Sequence, residues 1–175
     1  MAALIRASVL ATLTEAQKAT LREALPPEVK AFMAQAPEAE EWVPTPLLAR
    51  FLAEAQALSP VRTARSRAQM QADVLLEGVP ALKGAGPREV VARLPWFYSE
   101  VHQGGRISLS EVAEGRAVVH LLARYPYPDW YTEVLPMWLR RALERAGGKE
   151  VRVRHHPPTP PAEPWLHHYF LSWKP

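Results

Sequence analysis

The chain has 175 residues, a net charge of +3 and no cysteine. That length is enough for one domain with a substantial core. The missing thiols exclude disulfides, thiolate metal sites, iron–sulfur clusters and cysteine nucleophiles. Hydrophobic content of 48% with 22% charged residues is ordinary for a soluble globular protein. No apolar run approaches the roughly 20 residues of a membrane span, and the short apolar start, interrupted by Arg6, reads as a first helix rather than a signal peptide. A cytoplasmic protein without membrane insertion is expected.

The first half reads as helices with distinct start signals. Thr14-Glu-Ala-Gln17 is a capping-box pattern. Pro26-Pro27 opens a helix expected to run through Gln35. Thr45-Pro46 and Ser59-Pro60 each place a hydroxyl cap before a proline in the first turn. After Thr45, Leu47, Leu48, Phe51, Leu52, Ala55 and Leu58 recur at helical spacing. After Ser59 the pattern through Ala64, Ala68 and Leu76 is weaker. A loop at Lys83–Pro87 lacks the spacing of a phosphate cradle. Residues 88 to 102 return to helix, with a break expected at Pro95.

The pattern then changes from helical to alternating. Arg106–Val112 and Gly115–Tyr125 read as strands joined by a turn at Glu114-Gly115. In the second, Ala117, Val119, Leu121 and Ala123 share one face, and Val118, His120 and Leu122 the other. Trp130 to Ala146 carries apolar residues at i, i+1, i+4 and i+5, a long amphipathic helix closed by Gly147-Gly148. Glu150–His156 and Trp165–Trp173 read as a final strand pair across a proline-rich connection. The fold class is α+β. An N-terminal helical layer is packed on a C-terminal four-stranded antiparallel sheet interrupted by one long amphipathic helix. A single domain over 1–175 is expected, mainly helical over 1–102 and strand-strand-helix-strand-strand over 106–175.

Candidate sites follow from residue chemistry. His155-His156 and His167-His168 lie on strands expected to pair, so each sheet face receives one histidine from each strand. They are weak candidates for a divalent metal; strand histidines packed on Trp165 or Tyr169 are the simpler reading, and no metal is expected. No serine sits in a G-x-S-x-G elbow and no carboxylate pair is readable, so no catalytic residue is assigned and the chain is read as a non-enzyme. Arg62, Arg65 and Arg67 form the densest basic group. They are a candidate protein-interaction surface, and the scatter of the other arginines argues against nucleic acid. Six tryptophans exceed what a core usually needs, which points to a pocket wall or an interface as well.

Several segments together carry a resemblance: Leu-Pro-Pro-Glu after the first helices, Glu41-Trp-Val-Pro44, Leu94-Pro95 leading into aromatic residues, and Leu143–Val151 running from helix into strand. With a helix ending in Val101-His102 before an antiparallel sheet, the chain resembles the haem nitric-oxide/oxygen-binding sensor domains. More closely, it resembles a related bacterial family of unknown function, abundant as paralogues in myxobacteria, and the four segments above are the ones that suggest it. Vinyl-reductase and vesicle-tethering relatives share a similar arrangement.

The resemblance implies a haem with His102 as axial ligand and a tyrosine-x-serine-x-arginine motif holding the haem carboxylates. The nearest match is Tyr125-Pro-Tyr127-Pro-Asp129, which keeps the tyrosine and replaces the serine and the arginine. The expectation is therefore a sensor-like or adaptor domain without a cofactor. It would use an apolar pocket lined by Phe97, Val101, Leu121, Tyr125, Trp130, Trp138 and Tyr169, or a homodimer or protein-partner face. The alternatives are a haem-based gas sensor with His102 and Tyr125 at the haem, and a basic interaction module acting through Arg62, Arg65 and Arg67.

Overall fold

The computed structural model describes residues 6, 9–34, 45–59, 65–66, 68–69, 72–73, 82, 84–101, 105–123, 129–157 and 165–175, the side chains of 32, 33, 45, 101 and 129–133 excepted. The chain divides into two compact units, residues 1–70 and 71–175.

The first unit is helical: α1 (Glu15–Ala24), α2 (Pro27–Ala34) and α3 (Thr45–Leu58). The capping box forms as its sequence predicts. The Gln17 amide donates to Thr14 Oγ1 at 3.2 Å, and the Thr14 amide donates to Gln17 Oε1 at 2.9 Å. Gln17 Nε2 also donates to the Leu58 carbonyl at 3.0 Å, tying the start of α1 to the end of α3. Leu21, Leu25, Val29, Phe51, Leu52 and Ala55 form the buried centre, from the periodic positions of three amphipathic helices.

The second unit holds α4 (Pro87–Val101), β1 (Gly105–Ala113), β2 (Arg116–Ala123), α5 (Asp129–Arg145), β3 (Lys149–His156) and β4 (Leu166–Lys174). Its sheet is four-stranded and antiparallel in the order β1-β2-β4-β3. The α+β reading holds, and the four strands fall within two residues of their expected ends. The break expected at Pro95 does not occur. Helix α4 runs from Pro87 to Val101 with Pro95 inside it. The missing amide costs about 3 kcal/mol, offset by an inward face of Val90, Val91, Leu94, Phe97 and Tyr98. Helix α5 likewise continues through Pro136.

Both helices lie against the sheet, α4 on β1 and α5 on β3, and they meet each other. The burial alternation of β4 shows which face they cover. His167, Tyr169, Leu171 and Trp173 are buried, whereas Phe170, Ser172 and Lys174 are exposed. Gly115 closes the β1–β2 turn at φ +79, where a side chain would meet the Trp173 carbonyl at 2.9 Å. The Trp173 amide donates to the Gly115 carbonyl at 2.9 Å. Gly147, at φ +96, ends α5, and the Gly148 amide donates to the Leu143 carbonyl at 2.9 Å. Among the described residues no helix is long and apolar enough to cross a membrane.

Candidate functional site

Two histidine pairs, one on each face of the sheet, are the most chemically distinctive feature of the second unit. Register produces them. Position 155 pairs with 169, 156 with 168, and 120 with 168. Adjacent residues on one strand point to opposite faces, so each histidine doublet is split between the two sides.

On the helix-covered face, His155 Nε2 and His167 Nδ1 lie 3.0 Å apart. The His155 ring stacks on Tyr169, centroids 4.6 Å apart and planes 13° from parallel. Burial lowers the proton affinity of both histidines. The charge of His167, then of His156, lowers that of His155 further, and the charge of His168 lowers that of His167. Both shifts favour the neutral rings, in which one ring's N–H donates to the other's lone pair.

On the opposite face a chain of three side chains crosses three strands. His120 Nε2 is 2.7 Å from Ser110 Oγ, and His120 Nδ1 is 2.8 Å from His168 Nδ1. Burial, then the charge of His168, lowers the proton affinity of His120, while Glu111 acts in the opposite sense. A neutral His120 carries one proton. If Nδ1 holds it, Nδ1–H donates to His168 and Nε2 accepts from the Ser110 hydroxyl. If Nε2 holds it, both bonds reverse.

Hydroxyl, base and second imidazole are arranged here as in acyl-transfer chemistry, but that chemistry needs donors for an oxyanion in a water-excluded site. Ser110 and His120 are only half-buried, and Arg106 and Ser108 on the same face are exposed. The arrangement is a hydrogen-bonded chain of side chains on an open surface. Sequence reasoning passed over Ser110 and His120. Alternation placed His120 beside Val118 and Leu122, but only the β2–β4 register brings His168 to it.

Of the residues expected to line an apolar pocket, Phe97, Leu121, Trp138 and Tyr169 are buried. Phe97 and Trp138 stack between α4 and α5, ring centroids 6.1 Å apart. Leu121 and Tyr169 lie on the helix-covered face at 0% exposure. The side chains of Val101 and Trp130, and residues Tyr125 and His102, lie outside the described residues, as do Arg62 and Arg67. Arg65 is exposed. Of the tryptophans, Trp138 and Trp173 are buried and Trp96 and Trp165 exposed. Among the described residues no group of three or more His, Asp or Glu side chains is placed to hold a metal ion.

Comparison with solved structures identifies the fold. The H-NOX domain of Shewanella woodyi, solved in an Fe(II)CO ligation state, superposes with a TM-score of 0.70 at 12% identity, covering 100% of this chain and 95% of that one. The Fe(II) unliganded H-NOX protein of K. algicida gives 0.63 at 11% identity, covering 100% and 97%. An oxygen-binding H-NOX domain related to soluble guanylate cyclases gives 0.62 at 11%, covering 95% and 94%. No protein-family model matches the chain, and no curated protein matches it in sequence. The chain has the H-NOX fold over its full length, in line with the resemblance read from its sequence.

Proposed function

We propose that the chain is a signal-input domain that passes a binding event to a protein partner and catalyses no reaction. The carrying observation is a full-length match to H-NOX domains solved in Fe(II) states or as an oxygen-binding domain, combined with a hydrogen-bonded chain of imidazoles that lies on an open face rather than in an enclosed site. The test is a thermal-shift and native mass-spectrometry screen of the purified chain against small apolar ligands and dissolved gases. A saturable stabilisation supports the reading. Neither a ligand nor self-association, together with measurable turnover of simple ester or phosphate substrates, would remove it.

The second reading is a haem-based gas sensor. Two observations favour it: the iron-ligation states of the solved relatives, and His102 following directly on Val101, the last residue of α4. The residues available for the haem carboxylates do not fit. The sequence offers Tyr125, Tyr127 and Asp129, and Asp129 opens α5. A carboxylate at a helix N-terminus is favoured as an anion, whereas haem carboxylates need cations or hydrogen-bond donors. Absorbance of protein expressed with ample haem separates the two readings.

A further inference from the structure

The face of the sheet away from α4 and α5 is a three-by-three lattice of side chains, fixed by register. One row is Arg116, Ser172 and Arg152. The next is Val118, Phe170 and Arg154. The third is His120, His168 and His156. The lattice contains three arginines, three histidines and no carboxylate, on a chain with 18 acidic residues. All three arginines are exposed, and none has an ion-pair partner among the described residues. Glu150, on the β3 bulge, pairs with Lys174 at 2.5 Å, and Glu111, on the β1 bulge, acts on His120. Phe170 stands at the middle of the lattice and is 41% exposed, with the His156 ring tilted against it at 4.7 Å.

A sheet face with one apolar anchor ringed by unpaired arginines and hydrogen-bonding histidines has the composition of a protein-interaction hot spot. Its charge selects the occupant. A second copy presenting the same face would set arginine against arginine, so an isologous dimer is disfavoured. Single-stranded nucleic acid is read on sheets by two or three stacked aromatic rings. Here Tyr169 and Trp173 point to the other face and are buried, leaving Phe170 as the one exposed Phe, Tyr or Trp of the described lattice, with the exposed His156 ring packed against it.

We infer that this face docks an acidic segment of a partner protein, carboxylates on Arg116, Arg152 and Arg154 and one apolar side chain on Phe170. It specifies the partner of the signal-input domain proposed above and rests on that reading. Docking is measurable without any sensed ligand, so the two can fail separately.

The experiment uses the full chain and a fluorescein-labelled Asp/Glu-rich peptide with one central leucine. Anisotropy is read for the parent, for Phe170→Ser, for Arg152→Glu with Arg154→Glu, and for Arg22→Glu with Arg88→Glu as a control of equal net charge elsewhere. Arg152→Gln with Arg154→Gln stands in if the reversal misfolds. The expected result is binding that weakens roughly tenfold or more in both lattice variants, that stays near parent in the control, and that falls when the peptide leucine becomes serine. The inference is overturned by equal weakening in the control, by indifference to Phe170→Ser, by absence of binding, or by oligothymidylate binding more tightly than the peptide through the same residues.

Discussion

The Nδ1 atoms of His120 and His168 face each other at 2.8 Å across the register pair that joins β2 to β4. One proton fits between them and two do not. Adding the second sets two N–H groups against each other and breaks the bond. The same holds for His155 and His167 on the other side of the sheet. Each pair therefore couples the cohesion of the sheet to protonation.

The pH dependence of folding follows from the direction of the shifts. His120, His155 and His167 all bind protons more weakly in the fold than the ordinary histidine value of 6.5, burial being the first cause in each. The unfolded chain then holds more protons at pH values just below 6.5, so stability rises with pH there. The stabilisation is complete above the unfolded value and is lost as pH falls through the lower folded values. Urea midpoints should be level above about pH 7 and should decline steadily below about pH 6.5. A midpoint that rises on acidification across that window would contradict the assignment. In His168→Asn, imidazole NMR should show the His120 midpoint moving up toward the ordinary value, because one of its two depressing causes is gone.

Gly105 begins β1 where a side chain has no room. An added Cβ would lie 2.4 Å from the Leu122 carbonyl oxygen and 3.2 Å from Ala123 Cα. Both neighbours are backbone of a paired strand and cannot rotate away. Gly105→Ala should destabilise the second unit by about 1–3 kcal/mol, the usual cost of overpacking. Gly86→Ala, which meets nothing within 4 Å, should stay within about 0.5 kcal/mol of the parent. Denaturant titration of the two variants side by side checks this, and equal midpoints would refute it.

Much of this architecture was legible in the residues. The change from helical to alternating periodicity near Arg106, the Glu114-Gly115 turn and the i, i+1, i+4, i+5 pattern of α5 are local signals, and local signals survive into the fold. What was not legible is what register decides. The doublets at 155–156 and 167–168 announced a histidine on each face, but the Ser110–His120–His168 chain depends on which strand lies between β2 and β3. That is a topological fact with no local signature. Pro95 failed for the opposite reason. The local rule predicted a break, and the buried face of Val91, Leu94 and Tyr98 overrode it.

Glu111 and Glu150 both adopt positive φ, 53° and 50°, at the bulges where the β1–β2 and β3–β4 registers shift. A left-handed conformation costs a non-glycine residue roughly 1–2 kcal/mol, and glycine removes that cost while making the unfolded chain more flexible. At position 150 the change also removes an exposed ion pair with Lys174, worth about 0–1 kcal/mol. Glu150→Gly should leave stability unchanged or raise it by up to about 1 kcal/mol, against the usual penalty for glycine in a strand. A loss larger than about 1 kcal/mol in urea unfolding would mean that the bulge is held by contacts of the Glu150 side chain.

Axial ligation alone secures a dianionic cofactor poorly, because its two carboxylates also need cations or donors. In the motif that the sequence resemblance implies, the position of the cation is taken by Asp129, the first residue of α5. An anion facing carboxylates across a few ångströms repels them, by about 4 kcal/mol per charge pair at 4 Å in surroundings of intermediate dielectric. Arg124 is the adjacent basic residue in the sequence, next to Tyr125, and both lie outside the described residues. Protein expressed with ample haem should therefore be colourless and lack a Soret band. Asp129→Arg with Tyr127→Ser, which restores the motif, should gain haem if His102 is otherwise in place. A stoichiometric Soret band in the parent chain, lost in His102→Ala, would overturn the prediction and make the chain a haem-based gas sensor.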